Sequence, residues 1–138
     1  MTTAPGTRTT ATGTFEVLTG GEDAYREADG EPRLTHANGS QRFSGGIEGD
    51  GSIEWLMCYL PAGGARMVGH QRIDGSVDGL RGSFLIEAVG QHDGKASTAI
   101  WRIIDGSGTG ELDGLRGEGG FEAPGGKIVD YHLDYDLD

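Results

Sequence analysis

Glu54 is the residue whose setting most invites chemistry. It stands between Ile53 and Trp55 in a run that is otherwise apolar as far as Leu60. In an extended chain it shares a face with Leu56, Cys58 and Leu60. A carboxylate on such a face either meets water at a strand end or lies inside a cavity. Inside a cavity, lost hydration raises its pKa and suits it to general acid or base work, or to anchoring a ligand. Gln71, in the following strand, is its expected cross-strand neighbour. Trp101, Tyr59, Tyr131 and Tyr135 carry apolar rings with polar tips, fit for a ligand wall or for plain core packing. The candidate site is therefore Glu54 as catalytic group, with Gln71, Trp101, Tyr59 and Tyr131 around an apolar small molecule.

Other motifs carry less chemistry. Gly106-Ser107-Gly108-Thr109-Gly110 resembles a phosphate-cradling loop, but no helix follows to present its N-terminus to an anion, and a turn is the simpler reading. Asp74-Gly75-Ser76-Val77-Asp78-Gly79 opens like a calcium loop, yet Leu85 stands where the bidentate carboxylate belongs. His36, His70, His92 and His132 show no zinc spacing. His132 alternates with Asp130 and Asp134 opposite Tyr131, Leu133 and Tyr135, so the histidine and aspartates are expected in solvent. The single cysteine, Cys58, lies in an apolar run and reads as a buried structural thiol. No metal and no cofactor are expected.

These residues need a scaffold, and composition bounds it. The chain has 138 residues, the size of one domain, and a net charge of −11. So acidic a surface repels phosphate backbones and anionic lipid, which argues against nucleic acid and membrane partners. No run approaches the ~18 apolar residues of a membrane helix. The polar start has no apolar signal core, so the expected location is cytoplasmic. Residues 1–10 read as a flexible lead-in and 11–138 as a single domain.

Glycine is the unusual component, with 27 residues clustered between short apolar or alternating runs. The runs are Ala11 to Leu18, Arg33 to Phe43, Ile53 to Leu60, Ala65 to Ile73, Gly82 to Gln91, Ala96 to Ile104, Leu115 to Ala123 and Lys127 to Leu137. Period-two alternation and short Gly-rich connections predict about eight antiparallel strands. Thr19 to Pro32 is the longest expected loop. Two copies of Ile-Asp-Gly-Ser followed by Asp-Gly-Leu-Arg-Gly, starting at Ile73 and Ile104, read as equivalent strand–turn–strand corners. Such a sheet leaves two exposed edges unless it closes, so the predicted fold is an all-β closed antiparallel barrel, with a sandwich as the alternative. Apolar residues on both faces of Ile53 to Leu60 suggest a homo-oligomer.

Phe15-Glu16-Val17, Phe43-Ser44-Gly45, Glu54-Trp55-Leu56-Met57, Gly82-Ser83-Phe84 and Gly106 to Gly119 occur in an order that resembles the bacterial domain of unknown function 3224 family. The likeness runs from about Gly13 to Leu137. It implies a calycin-like barrel with a central cavity, similar in fold to allene oxide cyclase. Where the family tends to carry Glu, this chain has Gln71, so of a carboxylate pair only Glu54 remains. The expected function is a small-molecule-binding barrel, with cofactor-free cyclisation or isomerisation of an apolar substrate as its chemistry. The alternative is a non-catalytic structural barrel or hydrophobic-ligand carrier.

Overall fold

In the computed structural model, residues 8–137 are described, and they wind into an up-and-down barrel. The strands are β1 (Thr9–Arg26), β2 (Arg33–Gly45), β3 (Ile47–Tyr59), β4 (Ala65–Val77), β5 (Leu80–His92), β6 (Ser97–Ile103), β7 (Leu115–Ala123) and β8 (Ile128–Leu137). Each pairs antiparallel with the next, and β1 closes the ring on β8 through pairs from Thr9–Tyr135 to Glu16–Ile128. No helix among the described residues is long and apolar enough to cross a membrane.

Alternation assigns the faces. On β8, Val129, Tyr131, Leu133 and Tyr135 are buried while Asp130 and His132 are exposed, as the period-two pattern predicts. The strands are longer than the sequence suggests because several Gly-Asp clusters lie inside the sheet. Gly49-Asp50-Gly51 continues β3, facing Gly75, Asp74 and Ile73 of β4. At Gly49, φ is +140°, and a Cβ on Gly75 would lie 1.9 Å from the Glu48 carbonyl oxygen. Glycine is needed there because the two backbones nearly touch.

The expected loop from Thr19 to Pro32 is corrected. β1 runs on to Arg26, paired with β2 as far as Arg26–Leu34, leaving only 27–32 as the turn. Continuous pairing with β2 overrides the low strand preference of Gly20-Gly21. At the other end, β1 takes in Thr9 and Thr10, two residues of the expected lead-in; residues 1–7 lie outside the described chain.

The two repeat copies are also not equivalent. The first ends in the two-residue hairpin Asp78-Gly79, with φ of +46° and +88°, the left-handed pair that a tight β-hairpin requires. The second carries four extra residues and becomes a loop with one 3-10 turn, Gly110–Leu112. Thr109 N–H bonds the Ser83 carbonyl at 2.9 Å, folding this loop over β5 and sealing Leu112 from solvent.

An up-and-down order sends alternate turns to opposite ends. One end has the single-residue turn at Gly46, the Asp78-Gly79 hairpin and the Leu112 loop. Inside it, Phe43, Ile47, Ile73, Val77, Phe84, Ile86, Ile103, Leu115 and Leu133 are essentially solvent-free. Each large side chain buried this way contributes about 1.5–3 kcal/mol. The opposite end has the turns at 27–32, 60–64, 93–96 and 124–127, and its interior is not filled.

Candidate functional site

The unfilled end is an apolar cavity of about 300 Å³, walled by Phe15, Val17, Ile53, Trp55, Met57, Met67, Phe121 and Val129. Its walls come from inward positions of β1, β2, β3, β4, β7 and β8. Below it lies an aromatic layer. Trp101 is wholly buried against Phe15, Phe43, Phe121 and Tyr131, with ring centroids 5.9–6.4 Å from its own. These rings separate the cavity from the packed half.

One buried polar pair faces the cavity. Gln71 Nε2 donates to Gln41 Oε1 at 3.0 Å, and both side chains are nearly solvent-free. A buried primary amide must find partners or forfeit about 1–3 kcal/mol. Each of these amides satisfies the other once. The second half of each, Gln71 Oε1 and Gln41 Nε2, has no protein partner among the described residues, and both residues line the cavity. They offer one acceptor and one donor to an occupant.

Glu22 follows Gly20 on the inward side of β1, opposite Ala37, and is not itself in the cavity lining. It accepts a hydrogen bond from the hydroxyl of Thr35 and one from the hydroxyl of Tyr59, each 2.5 Å long. These two bonds, aided by Arg33, hold its carboxyl below the usual range despite some burial. The Arg33 guanidinium lies over the Tyr59 ring, 5.3 Å from its centroid. Burial, and then the bond to Glu22, push the Tyr59 hydroxyl up. Glu22 reaches this position through a bulge. Val17 pairs with Gln41 but Thr19 with Ser40, so Leu18 is an extra residue. The extra residue shifts the alternation by one and brings Gly20 and Glu22 into the inward register of Gly39 and Ala37.

The expected site residues are thus dispersed. Gln71 lines the cavity. Tyr59 is not in the cavity lining, and its hydroxyl is taken by Glu22. Trp101 lies beneath it, in the aromatic layer. Its Nε1–H has no hydrogen-bond partner among the described residues. Tyr131 is spent on structure: its hydroxyl accepts the Ile47 N–H and reaches the Ser44 carbonyl, both at 2.9 Å. Glu54 is on the outer face, with its side chain 61% exposed and 2.7 Å from His36 Nε2. Its cross-strand neighbour is His70, not Gln71, because Gln71 pairs with Ile53. Glu54 and Gln71 therefore point to opposite sides of the sheet. Cys58 shares the outward face and is half-buried rather than sealed.

Sequence reasoning missed Gln41, Trp55, Met57, Met67 and Glu22. Ile53-Glu54-Trp55-Leu56-Met57-Cys58 is apolar on both faces, so alternation alone does not choose between them. The larger, more aromatic set of Trp55, Met57 and Tyr59 was the available sign. No group of three or more metal-ligating side chains occurs among the described residues.

A model of the family described as "Protein of unknown function (DUF3224)" matches residues 11–135. No curated protein matches the chain. The crystal structure of a protein of unknown function from the DUF3224 family of Shewanella oneidensis MR-1 is similar, with a TM-score of 0.80 at 25% sequence identity. That likeness covers 95% of this chain and 98% of the other.

Proposed function

The chain belongs to the DUF3224 family, and from that premise we propose that its barrel binds an apolar small molecule bearing one hydrogen-bonding group, at the unfilled end. The observation that carries this reading is the buried Gln41–Gln71 pair beside an apolar cavity. A barrel interior kept only for stability gains nothing from two half-satisfied amides. A cavity of this size stands at the lower bound of the about 300–1,000 Å³ typical of ligand pockets, which sets the ligand to a short chain or one to two rings. Trp55, Phe121 and the methionines Met57 and Met67 give it adaptable apolar walls.

Binding without acid–base chemistry is the reading we adopt. Glu54 lies outside the barrel, and Glu22 is held ionised by two donors, which makes it a weak base and leaves it no proton to give. A cyclisation or isomerisation would rest on confinement of one substrate conformer alone. Native mass spectrometry of the purified protein, followed by turnover of any ligand that co-purifies, separates carrier from enzyme.

The direct test is titration with 1-octanol. The wild type is expected to bind it saturably. In the Gln41→Leu/Gln71→Leu variant, which removes both amides without orphaning either, affinity should fall about tenfold, the worth of one buried hydrogen bond. Undiminished octanol affinity in that variant would remove the polar anchor, and no binding by wild type would remove the ligand reading.

A further inference from the structure

Four strands carry an apolar row on the outside of the barrel. Leu56 of β3 pairs with Val68 of β4, Val68 with Val89 of β5, and Val89 with Ile100 of β6. All four are at least half exposed, Ile100 at 72%. Single exposed apolar residues need no explanation, but a contiguous row across four strands does.

The neighbouring row is charged in a particular order. Glu54, His70, Glu87 and Arg102 are successive cross-strand partners along β3 to β6. Glu54 Oε1 meets His36, while Oε2 has no partner among the described residues. No ion pair among the described residues engages Glu87 or Arg102. On the other side of the apolar row stands Arg66, beside Gln91 and Thr98. Glu54 and Glu87 balance Arg66 and Arg102 on a chain of net charge −11, and Glu118 of β7, the other cross-strand partner of Arg102, borders the patch. The strands that follow β6 are acidic instead: Glu118 faces Asp134 and Glu122 faces Asp130 directly across β7 and β8. Like charges so placed repel, and a second acidic molecule is not welcome there.

We propose that the β3–β6 face is the contact surface of a two-fold symmetric dimer of this chain. The occupant follows from the order of the charges. A two-fold axis along the strands, between β4 and β5, sets Glu54 against the partner's Arg102 and His70 against the partner's Glu87, each pair occurring twice. The same operation sets Val68 on the partner's Val89 and Leu56 on the partner's Ile100. A two-fold along the row instead sets His70 against the partner's Arg66 and gives Glu54, Glu87 and Arg102 no opposite charge. Reversed and laid on itself, the row sets a carboxylate against the Arg102 guanidinium and a carboxylate against the His70 imidazole, which is what an isologous contact demands and an unrelated partner does not.

Sedimentation velocity of the full chain, from about 1 to about 100 μM, tests this. Wild type should sediment as a dimer at the upper end. Val89→Asp should give a monomer with an unchanged far-ultraviolet circular dichroism spectrum, since Val89 lies outside the core. Arg102→Glu alone should weaken the dimer at least tenfold, and Glu54→Arg/Arg102→Glu should restore it. A wild type that stays monomeric would overturn the proposal and leave the row to a different partner. A dimer indifferent to Val89→Asp, or one not restored by the charge exchange, would overturn it as well.

Discussion

The two ends of this barrel are built from the same eight strands but solve different problems. At the packed end two of the turns are minimal, at Gly46 and at Asp78-Gly79, and they are braced to one another. Asp78 N–H reaches the Gly46 carbonyl at 2.7 Å, Gly46 N–H reaches the Thr12 carbonyl at 2.9 Å, and the Tyr135 hydroxyl donates to Asp78 at 2.5 Å. The loop carrying Leu112 then plugs the opening. At the unfilled end β1 and β2 extend as a hairpin, where Glu22 gathers the hydroxyls of Thr35 and Tyr59. Close packing is concentrated at one end, and space is left at the other, where the aromatic layer closes the cavity from below. Binding sites are commonly placed in this way on a stiff scaffold.

Substitutions that empty each half should separate the two most strongly. Phe43→Ala removes a wholly buried ring from the aromatic layer and the packed half. It should cost about 3–5 kcal/mol of unfolding free energy, read by urea titration. Met67→Ala enlarges a space that already exists, so the cavity term is small, and the expected cost is about 1–2 kcal/mol. Equal losses at the two positions would mean that the unfilled end is as tightly packed as the other.

A weaker contrast lies in pH. Burial and the bond to Asp78 push the Tyr135 hydroxyl up to about 12. Its folded value lies above the unfolded one near 10, so the stability it contributes is complete below pH 10 and is lost as pH rises through about 12. Tyr135→Phe should flatten the alkaline limb of a stability profile above pH 10. Glu22 behaves oppositely: its folded value is depressed below 4.5. Its contribution is present above pH 4.5 and is lost as pH falls through the lower folded value. Glu22→Gln should flatten the acid limb below pH 4.5. This is the smallest effect, because the carboxyl is exposed and screened by solvent.

The barrel itself was legible because its evidence is local and repeated. Period-two runs with short Gly-rich turns leave few alternatives to eight antiparallel strands, and Leu115 to Ala123 is read to the residue. The unequal ends were hidden for identifiable reasons. Strand extension through Gly49 and through Gly20-Gly21 depends on pairing partners far along the chain. The four residues that turn the second repeat into a plug look like a slightly longer corner until Leu112 is seen against β5. The site suffered most. The bulge at Leu18 moves Glu22 inward by a one-residue shift that composition does not reveal. Glu54 drew attention because it interrupts an apolar run, and that run is apolar outside as well as inside, where Leu56 joins an exposed row. Gln41, between the polar Ser40 and Arg42, gave no sign that it would be buried beside Gln71.

Methyl spectra offer the sharpest test of a half-filled barrel. The chain has three methionines, of which Met57 and Met67 line the cavity. With Met and Ile methyls labelled by carbon-13, titration with 1-octanol should shift Met57 and Met67 saturably and leave Ile73, Ile86 and Ile103 where they are. Saturable shifts at the isoleucines of the packed half, or none at the two methionines, would contradict the account.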